Sequence, residues 1–291
     1  MVFSSNSFVF IFFVFAAFYY CVRNKNIKNI TIVLGSFAFL WYAGFGHVVI
    51  IAGVILSAIA YICLAGRSNR SRNLLWVLIV FLILNLAYFK YRGFFSDIVG
   101  VTIPIPVYLS TIIPLGISFY TLQIIGALYD KRNDYKSVKP WRFLEFAVFF
   151  PQLIAGPICK YRSLAPQFSE TRKFSLRNIF IGSQLFVVGY IKKVALADPI
   201  SALIDPIWQD PSRFSGAAIL IAVIGFALQV YCDFSGYTDM GRGAARILGF
   251  RLPINFRGPY FSASPVEFWS RWHMTLSGWI RYYLFNALSI R

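Results

Sequence analysis

Apolar runs follow one another along this chain, and nothing else in the sequence limits its fold so strongly. They occupy residues 8–22, 30–46, 48–65, 74–89, 143–158, 179–191 and 216–232. Of the 291 residues, 58% are hydrophobic and only 13% are charged. A soluble domain carries roughly twice that charged fraction. The chain is therefore read as an integral membrane protein. Lipid offers no hydrogen bonds, so a spanning segment must satisfy its own backbone, and helices do so. The expected fold class is all-α and polytopic.

Several runs fall short of the roughly 20 residues that a simple span needs. Residues 98–129 carry no charge but contain Pro104, Pro106 and Pro114. This pattern predicts a loop or re-entrant piece, then a helix from about Leu115. Broken segments at membrane depth must be shielded by protein or line a cavity. A compact helical body with re-entrant elements, in one continuous domain, is expected. From Asp233 onward, Asp239, Arg242, Arg246, Arg251 and Arg257 interrupt the apolar residues. That stretch reads as short helices and turns near an interface.

The formal net charge is +17. In a soluble protein this would suggest nucleic acid. Here the cations sit in short links between apolar runs, so membrane orientation and anionic headgroups explain them better. Links 23–29, 66–72 and 130–142 are rich in Lys and Arg, link 42–47 has none, and link 90–97 holds only Lys90 and Arg92. The positive-inside rule makes the rich links cytoplasmic and the N-terminus extracytoplasmic, in the inner membrane. The first six residues have no basic segment, so run 8–22 reads as a retained helix rather than a signal peptide. Cys21, Cys63, Cys159 and Cys232 show no metal-like spacing and read as small packing residues.

The chain has only two histidines, His47 and His273. His47 lies in a Gly-rich link and reads as interfacial. His273 lies among tryptophans, an arginine and a glutamate. Ionisable groups in a membrane setting are costly, so they raise a functional hypothesis. Ser264, Pro265 and Glu267 suit the N-cap, first and third positions of a helix, with Glu267 closing a capping box. On one continuous helix Glu267 would pair with Arg271, and Trp269, His273 and Ser277 would share another face. A desolvated neutral histidine there can act as a general base. The competing reading is a buried histidine whose hydrogen bonds are satisfied by the protein. One histidine does not make a metal site. Asp233, Ser235 and Asp239 invite a nucleophile reading, but their pattern is not a nucleophile elbow. Helix capping, and pairing of Asp239 with Arg242 or Arg246, is the alternative.

At these residues the chain resembles the membrane-bound O-acyltransferase (MBOAT) family, in particular its alginate O-acetyltransferase branch. The resemblance rests on motifs in order: Met1-Val-Phe-Ser-Ser-Asn6, Pro114-Leu-Gly-Ile-Ser-Phe-Tyr-Thr121, Phe149-Phe-Pro-Gln-Leu-Ile-Ala-Gly-Pro-Ile158 and Lys192-Lys-Val-Ala-Leu-Ala-Asp-Pro199. Gln229-Val-Tyr-Cys-Asp-Phe-Ser-Gly-Tyr-Thr-Asp239, Leu248-Gly-Phe-Arg-Leu-Pro-Ile-Asn-Phe256 and Phe268-Trp-Ser-Arg-Trp-His-Met-Thr-Leu-Ser277 continue the series. It implies helices around a tunnel and acetyl transfer from a cytoplasmic thioester, acetyl-CoA or another, to hydroxyls of an exported polysaccharide such as alginate. It implies no bound cofactor and the help of exported accessory acyltransferases. It makes His273 the catalytic candidate, with Asp233, Ser235, Asp239, Asn255, Trp269, Arg271 and Trp272 as tunnel residues. Two departures accompany the match. Relatives carry a second histidine tens of residues beyond the position of His273, and Tyr282 stands where an aspartate commonly follows the arginine matched by Arg281. On that comparison the chain is expected to stop within the fold, short of the C-terminal helices. A transporter, or a non-catalytic membrane scaffold, remains the rival class.

Overall fold

The computed structural model describes residues 3, 5–64, 69–100, 114–133, 138–153 and 156–289. Among them the regular structure is helical throughout, as the backbone argument requires. The helices are α1 (Asn6–Cys21), α2 (Lys25–Ala43), α3 (Phe45–Leu64), α4 (Asn69–Val99), α5 (Ile117–Asn133), α6 (Pro140–Val148) and α7 (Phe150–Leu153). They continue with α8 (Tyr161–Leu164), α9 (Leu176–Tyr190), α10 (Asp198–Gln209), α11 (Gly216–Ile247), α12 (Pro265–Arg271), α13 (Met274–Ile280) and α14 (Asn286–Ser289). Among the described residues, four stretches are long and apolar enough to cross a membrane: Phe45–Leu64, Asn73–Phe94, Leu176–Gln209 and Gly216–Ile247. The re-entrant piece predicted around Pro104 and Pro106 falls on residues 101–113, outside the described residues.

The chain divides into two compact units. One holds α2 to α8 and the chain from Leu276 onward. Its core is rich in buried aromatics from α6 and the turn after it, including Phe143, Phe146, Phe149 and Phe150. The run predicted over 143–158 resolves here into short buried helices rather than a span. Glu145 is fully buried and is held by Arg142 at 2.6 Å. Link 23–29 is not a free basic loop. Asn24 caps α2 through the Asn26 N–H at 2.8 Å, which draws Lys25 and Lys28 into the helix. Lys25 donates to the Ser169 carbonyl at 2.8 Å, and Lys28 is buried. Link 90–97 is likewise absent, because α4 runs through it without a Gly–Pro break. Cys21 and Cys63 are exposed, so only Cys159 and Cys232 pack as expected.

The other unit holds α1 and the chain from Arg172 to Thr275. Two expectations fail in it for one reason. The run at 179–191 does not stop there: it passes through a π-helical turn (Ile191–Ala197) into α10. The residues after Asp233 stay in α11 as far as Ile247, and the expected turns and short helices begin only beyond it. Both expectations treated the charges as interruptions, but these charges neutralise one another across the two helices. Lys192 lies 2.7 Å from Asp239, which also holds Arg242 at 3.0 Å. Lys193 lies 2.5 Å from Asp198 and 2.6 Å from Asp233. Paired ions are tolerated at depths where lone ones are not.

The backbones of α9 and α11 touch at glycines. A Cβ on Gly189 would lie 2.5 Å from the Gly236 carbonyl, and one on Gly243 2.6 Å from the Gly182 carbonyl. Small residues allow helices in lipid to approach closely enough for dispersion to hold them. The outward side of α11 is apolar, with Leu220, Ile221 and Ile224 exposed.

Candidate functional site

Ser264 caps α12, its Oγ accepting from the Glu267 N–H at 3.2 Å, with Pro265 at the first position. Glu267 pairs with Arg271 as the spacing requires. Its carboxylate reaches back to the Ala263 N–H at 2.7 Å, one residue earlier than a standard capping box.

The continuous helix through residues 264–280 is not formed. It ends at Arg271, Trp272 is extended, and His273 takes a left-handed φ of 42° before α13 begins at Met274. The shared face of Trp269, His273 and Ser277 therefore does not exist. The agent of the break lies about a dozen or more residues upstream. The Arg257 N–H donates to the Arg271 carbonyl at 3.0 Å, and the Met274 N–H donates to the Asn255 carbonyl at 2.9 Å. The Asn255 side-chain oxygen accepts from the Thr275 N–H at 3.2 Å. Asn255 thus satisfies two of the N–H groups that the start of a helix leaves open. Left-handed backbone at a residue with a Cβ costs on the order of 1–2 kcal/mol and persists only where surroundings dictate it.

Asn255 is fully buried, and its Oδ1 is the centre of the site. It lies 3.0 Å from His273 Nδ1 and accepts from the Thr275 hydroxyl at 2.8 Å. The Thr275 N–H can only donate, so the atom facing it must be the amide oxygen. That oxygen can only accept, so Nδ1 of His273 carries the ring proton. Nε2 is left as the nitrogen with a lone pair. Phe234 meets the imidazole edge to face at 4.8 Å, and Phe256 lies 6.2 Å from it. Trp272 packs on Phe256 at 5.1 Å and on Phe268 at 5.5 Å. Burial in this aromatic surround pushes the His273 pKa down to about 4. The ring is neutral at neutral pH, and Nε2 is chemically able to take a proton.

Of the residues singled out in the sequence, Asn255 and Trp272 gather around His273. Asp233 neighbours Phe234 in the chain but is engaged by Lys193, and Asp239 lies between Lys192 and Arg242. Ser235 is buried in α11, Trp269 is exposed, and Arg271 is held by Glu267. Sequence reasoning passed over Thr275, Phe234 and Phe256. Thr275 stands two residues after the histidine, and a hydroxyl that close to a helix start was the available signal. His47, in the first turn of α3, accepts the Leu115 N–H on Nδ1 at 3.2 Å, so its ring proton is on Nε2, the opposite tautomer.

A model of the membrane-bound O-acyltransferase family matches residues 64–290. A protein of Pseudomonas aeruginosa named probable alginate O-acetylase AlgI is 36% identical over 99% of this chain and 57% of its own length. A Helicobacter pylori peptidoglycan O-acetyltransferase is 30% identical over 91% of this chain and 56% of its own length. A teichoic acid D-alanyltransferase of Streptococcus thermophilus is 27% identical over 60% of the chain. The chain thus spans a little over half the length of the first two relatives.

Proposed function

The chain belongs to the membrane-bound O-acyltransferase family, and from that premise we propose that it serves acetyl transfer from a thioester donor, such as acetyl-CoA, to hydroxyls of an exported polysaccharide, such as alginate. The observation that carries the reading is the Asn255-held, neutral His273. An acceptor hydroxyl loses its proton to Nε2 as its oxygen attacks the thioester carbonyl. The tetrahedral oxyanion then collapses, the carbon–sulfur bond breaks, and the departing thiolate takes the proton back from the imidazolium. Atoms and charge balance with no bound cofactor. Asn255 is a positioning residue in this scheme, with Phe234, Phe256 and Trp272 keeping water from the ring. Asp233 and Asp239 hold the π-helical turn after α9 to α11 through Lys193 and Lys192 and thereby fix Phe234.

The cations of links 66–72 and 130–142, against none in link 42–47, support an inner-membrane setting with the N-terminus outside, and family resemblance supports exported accessory acyltransferases as partners. The test uses membranes from cells expressing the chain, radiolabelled acetyl-CoA and unacetylated polymannuronate. Ester-linked label on the polymer, removed by mild alkali, is expected. No label above membranes lacking the protein would overturn the proposal.

A further inference from the structure

The end of the α9–α11 pair farthest from the paired lysines gathers cations. Gly182 lies against Gly243 and Ile247, and Gly189 against Gly236 and Met240, so the helices run antiparallel. The start of α9 is therefore beside the end of α11. Arg177 is exposed in the first turn of α9, and Arg246 lies in the last turn of α11. Arg251 follows it, and the positive charges of Arg177 and Arg251 both act on the Arg246 guanidinium. Among the described residues, no carboxylate lies within ion-pair distance of Arg177 or Arg246. The Arg246 Nε is buried and has no hydrogen-bond partner. Clustered cations without carboxylate partners recruit an anion.

An apolar groove of about 810 Å³ begins one turn from Arg177. It is lined by Phe180, Ile181, Gln184, Leu185, Val188 and Arg242. Arg177, Ile181, Gln184 and Val188 share one face of α9 by their spacing. From Arg177 to Val188 that face descends about 16 Å, roughly half of a 30 Å hydrocarbon core. This is the depth of one leaflet. Leu176 and Phe180, beside the cations, are 73% and 65% exposed, as side chains meeting acyl chains would be. A soluble phosphate compound would gain nothing from the groove, whereas a lipid matches both parts.

We propose that this end of the α9–α11 pair binds one anionic phospholipid, its phosphate on Arg177 and Arg246 and an acyl chain in the groove along Ile181 and Val188. The site is separate from His273 and does not depend on the acyltransferase reading.

The test is native mass spectrometry of the purified chain in detergent, with phosphatidylglycerol, phosphatidylcholine and 3′-phosphorylated coenzyme A offered singly. Retention of phosphatidylglycerol over phosphatidylcholine is expected. The Arg177→Gln/Arg246→Gln pair should lower that preference by about thirtyfold, as two headgroup cations are removed. Arg246→Lys, which keeps the charge, should retain most of it. A photoreactive phosphatidylglycerol on the unaltered chain should label the 177–188 face, which keeps the test independent of how the variants fold. Equal retention of the two lipids, labelling confined to other helices, or retention of coenzyme A alone at this site would overturn the proposal.

Discussion

Replacing Asn255 by aspartate keeps an oxygen where His273, the Thr275 N–H and the Thr275 hydroxyl need one, and turns the unpartnered Nδ2 amide into a second oxygen of a charged carboxylate. The carboxylate would stand where Oδ1 now lies, 3.0 Å from Nδ1. An opposite charge this close favours the imidazolium and should raise the His273 pKa by about 2, from about 4 towards 6. Because kcat/KM reports the free enzyme, its acid limb should fall near pH 4 in the parent chain and near pH 6 in the variant. Stability should move in the matching sense. An unfolded histidine titrates near 6.5, so stability from the neutral ring is fully present above that pH and is lost as pH falls towards 4. Allowing for partial exposure of the ring, the loss is about 2 kcal/mol, and the aspartate variant should lose less over the same interval. Asn255→Ala instead removes all three bonds, at about 1 kcal/mol each, and frees the ring to change tautomer. The assay is acetyl transfer from pH 4 to 8, with melting measured alongside. An acid limb in the aspartate variant that coincides with the parent's, in a folded protein, would refute the reasoning.

Asp239→Ala should cost more stability than Lys192→Met, by about 2 kcal/mol in thermal unfolding, because it strands both Lys192 and Arg242 whereas the lysine change leaves Asp239 paired with Arg242. Gly236→Leu should force α9 and α11 apart and unfold the chain at lower temperature by at least the 1–3 kcal/mol typical of overpacking, since even a Cβ there meets the Gly189 carbonyl at 2.8 Å. Reporter fusions should give an extracytoplasmic readout in the turn at Gly44 and a cytoplasmic one in the 130–142 link; the reverse pattern would sink the proposed orientation.

Much of the helical outline of the N-terminal stretch was legible because apolar length carries it: run 8–22 became Asn6–Cys21, and the break near residue 44 fell at Gly44. The continuation of α11 was not legible. Asp233 and Asp239 look like interruptions until Lys192 and Lys193, about forty residues away in sequence, are known to face them. The break before His273 was equally hidden. No glycine or proline marks it, and local rules supported a single helix through the histidine. Asn255 overrides those rules from another segment by satisfying the start of α13, an effect of tertiary structure that spacing within residues 264–280 cannot express. Asn255 itself stood in the motif that drew attention, but its role became readable only when the Thr275 N–H fixed its orientation.

The central claim is that His273 is presented as a neutral base with its proton on Nδ1, and the two-histidine composition makes this directly measurable. Nitrogen NMR of the chain labelled in histidine, with His47→Gln to assign the signals, should show a protonated Nδ1 and an unprotonated Nε2 for His273. His47 should show the opposite tautomer. The His273 signals should stay unchanged on acidification until pH approaches about 4. A proton on Nε2 of His273, or titration near 6.5, would contradict the account.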